Sequence, residues 1–139
     1  MKQTLLIICT FIALCSCTKI EDVQNSIRIT KRSLSKPNSV GGCDATIGIK
    51  NISGKTIKYI EIEMMFFNAV GDKVKCQIGG YYHLGKVTGP IKPGEHNLYT
   101  WECPIYNYSA RSVGINYVLI EYMDGTELEI TDRHIQYIL

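Results

Sequence analysis

The sequence lacks a charge excess of either sign: its 15 Lys and Arg residues oppose 13 Asp and Glu residues, which leaves a formal net charge of +2. No basic stripe and no block of like charges stands out along the chain. Nucleic-acid binding, and membrane binding through a polybasic segment, therefore have no support in the sequence.

Long hydrophobic runs are scarce. The apolar run at residues 5–14 has ten residues, which is too few to span about 30 Å of hydrocarbon as a helix. It follows a short start that carries Lys2, and this arrangement is typical of the hydrophobic region of a signal peptide. No later run is long enough to predict a transmembrane helix.

Catalytic and metal-binding patterns are missing as well. The sequence contains no Gly-x-Ser-x-Gly, no His-Glu-x-x-His, no phosphate-binding loop and no Cys-x-x-Cys pair. The spacing of His83, His96 and His134 is not that of metal ligands. Glu61 and Glu63 share a strand face, but nothing around them indicates a pocket. We therefore expect no enzyme, no metal site and no cofactor.

What the sequence does contain begins with a targeting signal. Leu14 stands three positions before Cys17, and the small residue Ser16 stands directly before it. This pattern resembles the lipobox of bacterial lipoproteins, in which the cysteine after the small residue is the modified one. An ordinary secretory signal cleaved near Ser16 is the alternative.

The lipobox resemblance implies an anchor. Residues 1–16 would be removed as the signal peptide, and Cys17 would carry acyl chains such as palmitate that hold the protein in a membrane, stably when two or more chains are present. Thr18, where Asp would retain a lipoprotein at the inner membrane, implies the outer membrane, on its periplasmic or its surface face. We expect residues 17–25 to be the acylated cysteine and a tether, and residues 26–139 to be one domain.

Apolar and polar residues alternate in short segments with turn signals between them. The clearest segment is 56–68, where one face carries Ile60, Ile62, Met64 and Phe66. Asp124-Gly125 is typical of a two-residue hairpin turn, and residues 79–94, rich in Gly and Pro, are expected to form a loop. No segment predicts a helix. About seven strands at regular spacing predict an all-β fold, a β-sandwich.

The order of segments 51–62, 66–68, 70–74 and 93–95 resembles small immunoglobulin-like domains of exported bacterial proteins, including the FxLYD type. Residues 64–68 stand where that type has its name motif. The resemblance implies an immunoglobulin-like antiparallel β-sandwich. It implies almost nothing about function, because this architecture hosts many unrelated roles.

Cys43, Cys76 and Cys103 would remain in the exported domain, in an oxidising compartment. In an immunoglobulin-like topology the strands that carry Cys43 and Cys103 are antiparallel neighbours. The resemblance therefore implies a Cys43–Cys103 disulfide, worth about 4 kcal/mol in the chain-entropy model. Pairings through Cys76, and three buried reduced thiols, are the alternatives.

A protein-binding patch is predicted at Met65 and Phe67. Because successive side chains of a strand alternate between its two faces, both residues are expected on the face opposite the core, where two large apolar side chains would mark an interaction site. A β-bulge near Met64 could instead turn one of them inward, or the 79–94 loop could cover them.

A second candidate surface is aromatic. Flat rings suit sugars and protein partners, although Tyr also fits half-buried sheet surfaces. Its members, which lie close in sequence, are Tyr81, Tyr82, Tyr106 and Tyr108. We expect a lipid-anchored, non-enzymatic binding or assembly module of the bacterial cell envelope, with an unidentified protein partner. A carbohydrate-contacting accessory lipoprotein is the alternative, and an enzyme is third.

Overall fold

The computed structural model describes residues 19–139, so the expected signal peptide and the predicted lipidation site Cys17 lie outside the described residues. The described part of the chain contains eight strands and two short helices. In chain order these are α1 (Ile20–Gln24), β1 (Ile27–Leu34), β2 (Gly42–Asn51), β3 (Ile57–Phe67), β4 (Lys73–Val74), β5 (Tyr82–Ile91), β6 (His96–Tyr106), β7 (Ser112–Tyr122), β8 (Glu127–Ile130) and α2 (Asp132–Ile135).

Two antiparallel sheets pack face to face. Sheet A has the order β1-β2-β6, and in sheet B the long β3 pairs with β7 on one side and with β4 and β5 on the other. β8 extends sheet B beyond β7. The predicted all-β, immunoglobulin-like antiparallel sandwich is thus confirmed.

Isoleucine fills most of the space between the sheets. From Ile60 onward β3 alternates buried and partly exposed side chains, as its sequence predicts. One face of each strand therefore lines the core and the other faces outward. The largest fully buried side chains are Ile27, Ile47, Ile49, Ile57, Ile60, Ile62, Met64, Ile91, Ile105, Ile120, Ile130 and Ile138.

The segment expected as a loop at 79–94 contains β5, so that prediction is wrong. β5 pairs with β3 alone, and an edge strand tolerates the residues that break a central one. Gly89 and Pro90 fall in a bulge, where the pairing with β3 shifts register. Their presence made the sequence resemble a loop although the strand continues through them.

The folded domain begins earlier than the expected boundary at residue 26. α1 buries Val23 completely, and the Ser26 hydroxyl donates a 2.6 Å hydrogen bond to the Val23 carbonyl oxygen. Residues 20–24, which the sequence assigns to the tether at 17–25, therefore form a helix packed on the domain. A helix of five residues with one buried side chain is too short to show a helical period in the sequence.

The C-terminal segment closes one side of the sandwich. α2 contacts β7, and Ile135 and Ile138 are buried. The backbone N–H of Ile29 in β1 donates a 2.6 Å hydrogen bond to the carbonyl oxygen of Ile138. The last residues thereby join the edge of sheet A to sheet B.

The connections between strands gather at two ends of the sandwich. The end that carries α1, here called the proximal end, comprises α1 with residues 52–56, 92–95 and 123–126. The opposite distal end comprises residues 35–41, 68–72, 75–81 and 107–111.

Candidate functional site

Met65 and Phe67 lie on the outer face of sheet B, as the alternation along β3 predicts. Both are half-buried because they cover Gly114 of β7: a Cβ atom added there would lie 2.8 Å from Phe67 Cε2 and 3.4 Å from Met65 Cε. The register shift near Met64 falls on β7, where Asn116 is the extra residue, so neither side chain turns inward. Whether a partner docks there stays a prediction.

The same face continues onto β5 with exposed side chains. Tyr82 lies opposite Met65, and Leu84 lies opposite Glu63. Lys73 places its Nζ 4.6 Å from the centre of the Tyr82 ring and donates a 2.9 Å hydrogen bond to its hydroxyl. This part of the sheet therefore combines exposed apolar area with positive charge.

Towards β7 and β8 the outer face of sheet B becomes acidic and forms a shallow groove. Partial burial raises the pKa of Tyr117, and the carboxylates of Glu129 and Glu61 raise it further. Such a groove can stack a flat ring and accept hydrogen bonds from hydroxyl groups. The residues lining it are Glu63, Tyr82, Asn116, Tyr117, Thr131 and Asp132.

The four tyrosines of the expected aromatic patch are divided among three parts of the domain. Tyr82 belongs to the outer face of sheet B, whereas Tyr106 is paired with Gly42 in sheet A. Tyr108 lies at the distal end, where its ring packs against Gly41 and its hydroxyl donates a 2.7 Å hydrogen bond to the Ser39 carbonyl oxygen. Tyr81 is exposed in the distal segment 75–81.

Hydrogen bonds join the distal loops to one another. The N–H of Asn107 donates to the Gly41 carbonyl oxygen at 2.8 Å, and the N–H of Gln77 donates to that of Tyr106 at 2.9 Å. The Asn107 amide also donates to the Lys75 carbonyl oxygen at 2.9 Å. Residues 38–41, 75–80 and 107–109 thus form one connected surface.

Two asparagines fix the shape of distal turns. Asn38 Oδ1 accepts hydrogen bonds from the N–H groups of Val40 at 3.0 Å and Gly42 at 2.9 Å. Asn68 Oδ1 accepts equivalent bonds from Val70 at 3.0 Å and Asp72 at 2.9 Å. In both turns the asparagine side chain replaces a backbone acceptor and holds a valine two residues on.

Apolar side chains project from this ordered distal end. Val70 is 80% exposed and Ile78 is 77% exposed. The full set is Val40, Val70, Ile78, Tyr81 and Tyr108. The sequence analysis missed the three aliphatic members, two of which, Val40 and Val70, stand two residues after an asparagine within a turn.

Within residues 19–139 the structure has no bond between Cys43 and Cys103, and Cys43, Cys76 and Cys103 are free cysteines, so the pairing stays a prediction for the exported protein. The two strands are neighbours as expected, but between Cys43 and Ala45 their pairing jumps from Ile105 to Trp101. Cys103 lies in the resulting bulge with φ 47°, and its backbone N–H donates to Asp44 Oδ1 at 3.0 Å.

The bulge places the two sulfur atoms in different surroundings. Cys103 Sγ lies 3.8 Å from Asn38 Nδ2 and 3.8 Å from Asp44 Oδ1, on the outer side of sheet A. Cys43 is fully buried, and burial raises the pKa of its thiol. The thiol of Cys43 is therefore protonated and unreactive at neutral pH.

The proximal end carries two exposed apolar side chains, Ile20 and Met123. Next to them Lys55 Nζ forms a 2.8 Å ion pair with Asp124 and donates a 2.8 Å hydrogen bond to Thr126. Hydrogen bonds from Lys55 and Thr126 hold the pKa of Asp124 well below its usual value.

Within residues 19–139, no group of three or more His, Cys, Asp and Glu side chains is placed to share a metal ion. In the same range, neither helix has the length and apolar character needed to cross a membrane. The chain matches no protein-family model, and no curated protein matches its sequence.

Proposed function

We propose that the protein is a lipid-anchored, non-enzymatic binding module of the bacterial cell envelope that holds a partner protein at its distal end. The anchor is the acylated Cys17, which the lipobox implies, and the membrane is the outer one. The observation that carries the proposal is the display of exposed apolar side chains on loops that asparagine side chains already hold in shape.

Order in the free loops favours binding. Loops that are flexible before binding lose conformational entropy in the complex, whereas loops held by internal hydrogen bonds have already lost it. Burial of Val70, Ile78 and Tyr108 by a partner then stabilises the complex at about 25 cal/mol per Å² of apolar surface removed from water. Because these side chains project from the loops, we expect the partner protein to bind them in a concave apolar surface.

Site-specific photo-crosslinking in the native cell envelope tests the proposal. A crosslinking amino acid replaces Val40 at the distal end or, as a position outside it, the exposed Arg28 of β1. We expect a discrete protein adduct from position 40 and none from position 28. Equal adducts from both positions, or none from position 40, would contradict the proposal.

The apolar side chains themselves are tested in the same assay. Combining Val70→Ser with Ile78→Ser should weaken the adduct from position 40, because the apolar area buried by the partner is lost. The matched control is Leu98→Ser, which removes an exposed apolar side chain from β6 on the outer face of sheet A. This control should leave the adduct unchanged.

A glycan contact on the outer face of sheet B is the second candidate. The observation that favours it is the groove in which Tyr82 and Tyr117 accompany the carboxylate of Glu63 and the amide of Asn116. Titration with neutral hexose and N-acetylhexosamine oligosaccharides should then show saturable binding that Tyr117→Ala abolishes. Binding that survives this substitution would locate any glycan contact elsewhere.

A further inference from the structure

We infer that the proximal end of the sandwich rests against the lipid surface in which the anchor sits, with Met123 and Ile20 in contact with that surface. The inference rests on the proposed lipid anchor at Cys17. It specifies which end of the domain contacts the membrane and which end remains accessible to partners.

The first argument is the length of chain between the lipid and the domain. Only Thr18 and Lys19 separate Cys17 from α1. Three residue steps reach about 10 Å when fully extended. The domain therefore cannot move far from the headgroups or turn its opposite end towards them.

The second argument is that α1 is fixed to the domain. Val23 is fully buried, and the Ile52 N–H donates a 3.1 Å hydrogen bond to the Ser26 carbonyl oxygen directly after the helix. Releasing α1 as extra tether would expose Val23 to water and break these bonds. The short linker therefore holds the proximal end itself close to the membrane.

The third argument is the composition of the proximal end. Ile20 is 46% exposed, and Met123 is 60% exposed in the hairpin that joins β7 to β8. Met123 adjoins the 52–56 segment, because its N–H donates a 2.9 Å hydrogen bond to the Thr56 carbonyl oxygen. Asp22 of α1 and Lys55 of that segment line one depression, which places the helix beside the hairpin.

Charge contributes little to this contact. The three basic side chains at the proximal end, Lys19, Lys55 and Lys92, are accompanied by four acidic ones, and Lys55 is already paired with Asp124. The acidic side chains are Glu21, Asp22, Glu95 and Asp124. The anchor and the apolar contacts supply the affinity, so the orientation should persist when salt screens surface charges.

Tryptophan quenching by lipid tests the orientation. The full lipidated protein is placed in vesicles of phosphatidylethanolamine and phosphatidylglycerol that contain a lipid brominated in its acyl chains. Met123→Trp and Val70→Trp are compared, since both positions are exposed apolar residues in strand-connecting turns, and Trp101 is a background common to both. We expect the brominated lipid to quench the emission added by Met123→Trp and to leave that added by Val70→Trp unchanged.

The outcomes separate the orientation from the anchor. Equal quenching at both positions, or quenching of Val70→Trp alone, would overturn the orientation while the protein remains on the vesicles. Equal vesicle binding by a Cys17→Ala protein produced without residues 2–16 would overturn the anchor, and the orientation with it. Ile20→Trp is a second proximal probe should Met123→Trp not fold, and it should be quenched as well.

Discussion

At the scale of single residues, Gly114 shapes the outer face of sheet B because it has no side chain. Its missing side chain creates a hollow that Phe67 and Met65 fill, which turns two outward-facing apolar residues into a layer packed on the sheet. Apolar side chains on a sheet surface are therefore not equivalent: these two contribute to stability, whereas Leu84, on the same face, stands in solvent.

Replacing both Met65 and Phe67 with Ser should destabilise the domain. Full burial of either side chain is worth roughly 1.5–3 kcal/mol, and half-burial of both predicts a loss of about 2 kcal/mol. Urea denaturation measures the change, with Leu84→Ser as the exposed control on the same face. A double variant as stable as the unmodified protein would mean that the two side chains are free to dock a partner.

The cysteines predict a specific pattern of crosslinks. Because Cys43 is buried in the core whereas Cys103 Sγ contacts Asn38 and Asp44 on the outer side of sheet A, mild oxidation should not join them. Peptide mapping under non-reducing conditions reads the pairs directly. A Cys43–Cys103 peptide would show that β2 and β6 pair without the bulge.

Stability should fall at alkaline pH partly through Cys43. Burial raises its pKa in the folded state, so above the unfolded pKa of about 8.5 the unfolded chain loses a proton that the folded one keeps. At neutral pH the thiol is protonated in both states and does not change the free energy of unfolding. As the pH rises above the unfolded pKa, the free energy of unfolding falls progressively. The drop in Tm from pH 7 to pH 9.5 should be smaller for Cys43→Ala than for the unmodified protein.

At the scale of elements, the turns determine the structure of the domain as much as the strands do. Asn68 accepts two backbone hydrogen bonds and holds the turn between β3 and β4, and Asn38 does the same between β1 and β2. The alternation of neighbouring strands sets the core, whereas these side chains decide what the distal end presents.

Asn68→Ala should loosen one turn without unfolding the sandwich. The N–H groups of Val70 and Asp72 lose their acceptor, which predicts a loss of about 1 kcal/mol and faster hydrogen exchange at both amides. Asn97→Ala is the matched control, since that amide bonds to exposed Glu95. Unchanged exchange at Val70 and Asp72 would show that the turn does not depend on Asn68.

The strands with regular alternation were predictable and the interrupted ones were not. β3 shows period two in its sequence because one of its faces meets the core throughout. β5 was missed because Gly89 and Pro90 are typical of loops, and only its position at a sheet edge makes them acceptable in a strand. The β6 bulge depends on a partner strand more than 50 residues away in sequence, so no local pattern reports it.

Sequence periodicity was equally insufficient to predict the candidate binding surfaces. Sequence periodicity located Met65 and Phe67 on the correct face, but it could not show that Gly114 lets them pack down. Val40, Val70 and Ile78 come from three different loops, which only the antiparallel topology brings to one end. A binding surface assembled from loops therefore becomes visible only in three dimensions.

At the scale of the whole molecule, the proposed lipid anchor at Cys17 would decide where the domain works. If Cys17 carries the lipid, as we propose, Cys17→Ala should abolish lipidation and leave the uncleaved precursor to accumulate. Metabolic labelling with a fatty-acid analogue, followed by separation of precursor and mature forms, measures both effects. Label that persists on the variant would contradict the assignment of the lipid to Cys17.

The hydrogen bond between Ile29 and Ile138 joins two parts of the chain that are far apart in sequence. A chain that emerges from its N terminus, from a ribosome or through a membrane pore, presents β1 more than 100 residues before its partner at Ile138 arrives. Until then Ile135 and Ile138 cannot cover the side of the sandwich. The core is consequently complete only once residues 135–138 have emerged, and a shorter nascent chain lacks the side chains of Ile135 and Ile138 that cover it.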